Sequence, residues 1–462
     1  MIALALRFTP MGLTLPRLSP AIGGGSRISV RLPAPTTDLQ SHLCIARAAT
    51  NGSPLAFSFL RELHLDENEA EALLLAHPEL ELAPLPSLRD RVIALRSLGI
   101  SGLELSRTVL RRPDVLSQPE FGLFLDFALH ELKGIKPAKL EQILTSIPLQ
   151  FLEGIVGGST MLLDHGVPSD KLGHVLTHVH VRKVFCERPL RDLEQMVLFL
   201  KHYGWPELVL RRPMLLNLDL HGQLTPRVEF LVKLGGGDAA AVRVLLAKLP
   251  ALLSYTVEHY KSHLAFWRSV GISNEELFKI AMVYPKIFSV SKERKLEPRI
   301  EFLKQCNMDA VDIFKFLVKA PLFMSLSFEE NLSKKLNFLV KIGYEHRTRE
   351  LAWAFGATTR TSCENMQRVI GLFLSYGFSC EDIVVMSKKH PQVLQYNHES
   401  LEKKMEFLIE EMERDIRELL VFPAFLGYKL DERIKRRHAT KKEMSGKQMP
   451  LTLLSLSTER FH

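Results

Sequence analysis

The sequence predicts an all-α solenoid of about ten stacked helical hairpins, and three observations predict it. First, proline followed by apolar residues returns along the chain: "PELEL" at Pro78, "PDVL" at Pro113, "PLQFL" at Pro148, "PMLL" at Pro213, "PALL" at Pro250, "PKIF" at Pro285, "PLFM" at Pro321, "PQVL" at Pro391 and "PAFL" at Pro423. Most successive gaps are 32 to 37 residues. Second, a glycine stands fourteen residues ahead of many of these prolines, as Gly99 does for Pro113, Gly134 for Pro148, Gly271 for Pro285 and Gly377 for Pro391. Asn307, which also tolerates the left-handed conformation, stands there for Pro321. Third, a second amphipathic segment fills the space up to the next glycine, as in "RVEFLVKLG", "HLAFWRSVG", "RIEFLKQCN", "KLNFLVKIG" and "VIGLFLSYG".

From the N-terminus, residues 1–50 differ in kind from the rest. They hold five arginines, no lysine, no glutamate and a single aspartate, Asp38, with no helical period after the start. This composition predicts a disordered organellar transit peptide, plastid in preference to mitochondrial, with "CIARAA" at 44–49 as the processing site. The repeat domain is expected over 60–430. Its unit is clearest at "SNEELFKIAMVYPKIF", where Ser273 and Glu276 form a capping box and Leu277, Ile280, Ala281 and Tyr284 share a face. Pro285 lacks an N–H and pushes the preceding residue out of the α region, so the helix should end at Tyr284. Ile287 and Phe288 then re-enter the core from a short 3₁₀ turn before the second helix begins. Two units lack the proline: Arg182 in "VRKVF" and Ala357, fourteen residues after Gly343, occupy its place. No unit of this size can bury its apolar face alone, so the units must stack. Residues 431–462 read as a largely disordered basic tail.

The proline-centred period, closed by "YKLDERIKRR", resembles the mitochondrial transcription termination factor (mTERF) family, particularly its plant organellar members, over roughly residues 65–438. Arg433 and Ile434 match the family's Arg-Ile-x-Pro-Arg ending, while Arg436 stands in the proline position. The resemblance implies a curved superhelix that binds organellar double-stranded DNA or RNA and regulates transcription or RNA processing without being an enzyme. It also implies work beside transcription-machinery proteins, and a monomer is expected. The alternative is a protein-binding helical scaffold.

Charge supports the nucleic-acid reading only through its distribution. The net charge of +8 falls to +4 without residues 1–50, and residues 429–442 carry +5, which leaves the remaining body near neutral at −1. Arg227 in "TPRVEFL" and Arg299 in "EPRIEFL" are two periods apart, and Lys334 and Lys335 sit near the equivalent place in the next unit. Matching positions of a solenoid line one surface, so these cations can follow a phosphate backbone. Lys292 and Lys295, at the entry to a second helix, add charge on that path, with Arg294 between them. Arg433, Lys435, Arg436 and Arg437 form the most concentrated patch, suited to holding phosphates without reading bases. The competing readings are that Arg227 and Arg299 pair with Glu229, Glu301 or a neighbouring carboxylate, and that the basic run is a solubilising tail. Arg111–Arg112, Arg211–Arg212 and Lys388–Lys389, each just ahead of a proline, are best read as cations at a helix C-terminus. Tyr344, Trp353, Tyr376 and Tyr396 are candidates for base stacking, although aromatics at helical spacing usually belong to the core.

Other chemistries find little support. Five cysteines include no C-x-x-C pair, "GGGD" at 235–238 lacks a phosphate-loop lysine, and "HVHV" at His178 and His180 has no third ligand nearby. No metal, cofactor or membrane span is expected, since the apolar runs break well short of about eighteen residues.

Overall fold

The computed structural model describes residues 54–445 and 450–456, and every regular element among them is a helix. The expected transit peptide at 1–50 and its processing site lie outside the described residues.

The unit opened by Ser273 follows its sequence closely. Ser273 and Glu276 form the capping box, the first helix runs Asn274–Val283, and Tyr284 leaves the helix at φ −137°, ψ 80°. The 3₁₀ turn Pro285–Ser289 then buries Ile287 and Phe288. Each such burial stabilises by about 2 kcal/mol. The same stop at a 3₁₀ turn recurs at Pro113–Val115, Pro213–Asn217, Pro250–Ser254, Pro321–Met324, Pro391–Gln395 and Pro423–Gly427. Gly271 closes the preceding second helix at φ 93°, and Asn307 takes the same role at φ 58°. A side chain at Gly271 would also press on the Ala310 Cβ at 2.9 Å.

Two layers result. The first helices Ala239–Lys248, Asn274–Val283, Ala310–Lys319, Arg349–Thr358 and Cys380–Lys389 pack each on the next. The second helices do likewise, as in Leu85–Ser97, Pro119–Glu131, Leu152–Asp164 and Leu190–Lys201, and one continuous apolar core runs between the layers.

Three features depart from the expected pattern. Several second helices open with a π-helical turn, at Leu220–Leu224, Lys292–Leu296 and Phe328–Leu332. The two units without proline differ from each other: a π-helical turn, Arg182–Cys186, replaces the 3₁₀ turn in one. In the other, helix Arg349–Thr358 runs on with no such turn before helix Cys363–Ser375. Finally, the expected disordered tail is structured where it is described. A π-helical turn Leu430–Lys435 leads into helix Arg436–Ser445, and a 3₁₀ turn Leu451–Ser455 follows Pro450 and buries Leu451 and Leu454. The physical reason is that "PLTLL" at Pro450 repeats the proline-plus-apolar phrase, so the chain adds one more half-unit to the stack.

Candidate nucleic-acid interface

A 3₁₀ turn leaves its last carbonyls without partners inside the turn, and these must find donors elsewhere. The preceding unit supplies them from long cationic side chains. Arg188 donates from Nη1 to the Leu216 carbonyl and from Nη2 to that of Leu218, both at 2.7 Å. Arg227 donates to Leu253 O at 2.7 Å, and Lys404 to Leu426 O at 2.7 Å. Arg299 spans Met324 O and Leu326 O, with Lys295 on Ser325 O at 2.9 Å beside it. In the last half-unit, Arg433 donates to Leu454 O and Leu456 O at 2.9 and 2.8 Å, and Arg437 reaches the same carbonyls at 3.2 and 2.9 Å.

These contacts correct the expected phosphate path. Arg227 and Arg299 do occupy equivalent places, but each is only 7% exposed and is directed into the seam between units. Nor do they pair with Glu229 or Glu301: their partners are backbone carbonyls of the following turn. Burial pushes the Arg299 guanidinium down to about 10, and it lowers Arg227, Lys404 and Arg437 in the same sense. Lys335 is fully buried, its pKa lowered by burial against the attraction of Cys363 and Glu364. Lys292 bonds the Ser262 hydroxyl, and Lys435 pairs with Asp431 at 2.7 Å. Of the ten candidate cations, Lys334, Lys435 and Arg436 are exposed. Arg188 and Lys404, which the sequence reading passed over, belong to the seam; their signal is a cation 22 to 30 residues ahead of the turn carbonyl it meets.

The cations ahead of the prolines sit at the C-terminal ends of their own helices, and several also reach the C-terminus of a helix in the next unit. Arg112 donates to Ile147 O at 3.0 Å, Arg211 to Lys248 O at 3.1 Å, Lys248 to Met282 O at 2.5 Å and Lys389 to Leu420 O at 2.7 Å. Each interacts with the negative end of a neighbouring helix dipole.

Two clefts beside the units that lack proline are lined by cations. The first, of about 540 Å³, is lined by Lys319, Trp353, Gly356, Ala357, Arg360 and Lys389 among others, with no carboxylate in its wall. The Lys319 ammonium lies 5.2 Å from the centre of the half-buried Trp353 ring. A second cleft of about 370 Å³ lies at the other such unit, where Lys139 and Arg182 take part and carboxylates are again missing from the lining. By contrast, the cleft beside Lys304 includes Glu297 and Glu301, and that beside Lys403 includes Glu399, Asp431 and Glu432.

Other candidates resolve into structure. Tyr344 is buried with its hydroxyl 2.6 Å from Ser387 Oγ, and His178 Nδ1 lies 2.9 Å from His174 O. Among the described residues, no group of three His, Cys, Asp or Glu could hold a metal ion, and no single helix is long and apolar enough to cross a membrane.

The sequence profile of the mTERF family matches residues 57–342 and 290–462. The chain is 48% identical over 423 residues, 90% of its own length and 84% of the relative's, to "Transcription termination factor MTERF8, chloroplastic" of Arabidopsis thaliana. It is 35% identical over 69 residues, 15% of its length and 14% of the relative's, to "Transcription termination factor MTERF4, chloroplastic" of Oryza sativa subsp. japonica.

Proposed function

Because the chain belongs to the mTERF family, we propose that it is a nucleic-acid-binding regulator of transcription in the chloroplast, acting in termination or a related step. The observation that carries this reading is the 48% identity to a chloroplastic transcription termination factor across 90% of the chain. The Arg-rich, acid-poor composition of residues 1–50 supports the same compartment. The protein acts by occupying its target: a stack of units presents cations at intervals along a surface, and a transcribing polymerase meets a bound obstacle. No reaction of its own is assigned to it.

The near-neutral body makes the reading specific about how binding works. Affinity rests on a few placed cations rather than on bulk charge, so the salt dependence should be moderate and should respond to single substitutions. The test is a salt-titrated binding assay of the mature protein on double-stranded DNA and single-stranded RNA, together with imaging of residues 1–60 fused to a fluorescent reporter. Binding to either nucleic acid with a linear log–log salt dependence, and reporter signal in plastids, are expected. Failure of both ligands at low salt, with polypeptides recovered by pull-down from chloroplasts, would replace this reading with a protein scaffold.

A further inference from the structure

Resting on that reading, we infer that the cleft at the unit lacking proline, between Lys319, Arg360 and Lys389, is a seat for phosphate groups of the bound nucleic acid. Where proline is present, a 3₁₀ turn follows the first helix and its side chains fill the space beside the neighbouring helices. Here Ala357 stands in the proline's place and helix Arg349–Thr358 packs directly on the Pro391–Gln395 turn of the following unit. Gly356 is pressed on the Phe316 ring, so closely that a Cβ would lie 2.5 Å from it. With small residues at 356 and 357 and no turn to cover them, the space stays open as the cleft.

Three cations from three successive units converge on it, and each is held by something other than an acid. Arg360 donates from Nη2 to Lys319 O at 3.2 Å, Lys389 donates to Leu420 O at 2.7 Å, and Lys319 rests on the Trp353 ring. An ammonium has three donors and a guanidinium five, so each cation keeps donors to offer after its holding contact is made. The cations are thus placed in advance, and with no carboxylate in the wall an oxyanion can neutralise them. The cleft of the second proline-less unit also lacks a carboxylate in its lining, but that unit keeps a π-helical turn and its Arg182 is paired with Glu187 at 2.9 Å, so it is no second copy of the seat.

Trp353 supplies the readout, because the other two tryptophans, Trp205 and Trp267, are 8% and 0% exposed and lie elsewhere. The experiment titrates the mature protein with inorganic tripolyphosphate while following tryptophan emission, and compares wild type with Trp353→Phe, Arg360→Gln and the triple variant Lys319→Gln/Arg360→Gln/Lys389→Gln. Melting curves check the fold, and Arg360→Gln, the mildest change at an exposed residue, keeps the test valid should the triple variant unfold. A saturable emission change is expected in wild type, absent in Trp353→Phe and weakened at least several-fold in Arg360→Gln. In parallel, the log–log salt slope of nucleic-acid binding should fall by about one for Arg360→Gln and by two to three for the triple variant. An emission change that the substitutions leave untouched overturns the seat. Tripolyphosphate binding that responds to them, with an unaltered nucleic-acid salt slope, overturns the nucleic-acid phosphate as its occupant and leaves the family reading standing. Wild-type protein that binds tripolyphosphate at the cleft but neither nucleic acid overturns the family reading's ligand instead.

Discussion

At the scale of single residues, the decisive groups are cations spent on backbone. Arg299 illustrates the logic: its guanidinium satisfies two carbonyls that would otherwise be buried without donors. Arg299→Met should therefore cost about 1–3 kcal/mol of local stability, seen as faster hydrogen exchange in the Pro321–Met324 turn, with the salt slope of nucleic-acid binding unchanged. A fall in that slope without faster exchange would return Arg299 to the phosphate path. His263 gives a second prediction. It is 2% exposed, no donor or acceptor meets its Nδ1, and burial foremost, with His259 and Lys292 adding to it, pushes its pKa down to about 4. The unfolded chain takes up the proton near pH 6.5 and the folded one only near 4, so its contribution is full above about 6.5 and is lost as pH falls toward 4. His263→Leu should flatten the melting temperature between pH 6.5 and 4 relative to wild type, and an identical pH dependence in the variant would contradict this.

At the scale of elements, the unit is set by its punctuation. Gly271→Ala would force a Cβ into a left-handed backbone and against Ala310, with an expected loss of about 1–2 kcal/mol in thermal unfolding. Ser273→Ala, which removes a helix cap, should lose about 1 kcal/mol by the same measure. These devices were legible because proline and glycine act locally: the stop at Tyr284 and the turn Pro285–Ser289 follow from the residues themselves. The equivalence of Arg227 and Arg299 was legible too, from the period alone. Their direction was not, because a long flexible side chain can point to solvent or to a neighbour's backbone, and the carbonyls that attract it belong to a unit far along the sequence. The π-helical openings left no compositional mark, and the phrase at Pro450 was hidden by the charged residues before it. The cleft was marked in the sequence only by the missing proline at Ala357, because its cations come from three units and meet only once the stack is formed.

At the scale of the whole molecule, each unit touches chiefly its neighbours, so stability is a sum of local terms and damage should stay local. Deleting residues 429–462 removes helix Arg436–Ser445 and the turn beyond it. Hydrogen exchange should then quicken about tenfold or more across residues 398–427 and remain unchanged across 239–341. Uniform acceleration along the chain would mean that the stack unfolds as one body. The turn-directed contacts also share a sense, because Arg188, Arg227, Lys295, Arg299, Lys404, Arg433 and Arg437 all reach toward the C-terminus. Along these contacts the protein is consequently a polar polymer, with a giving face on one module and a receiving face on the next. Such a chain lengthens by duplicating a whole period, which carries both faces with it, whereas an insertion of half a period would set two like faces together.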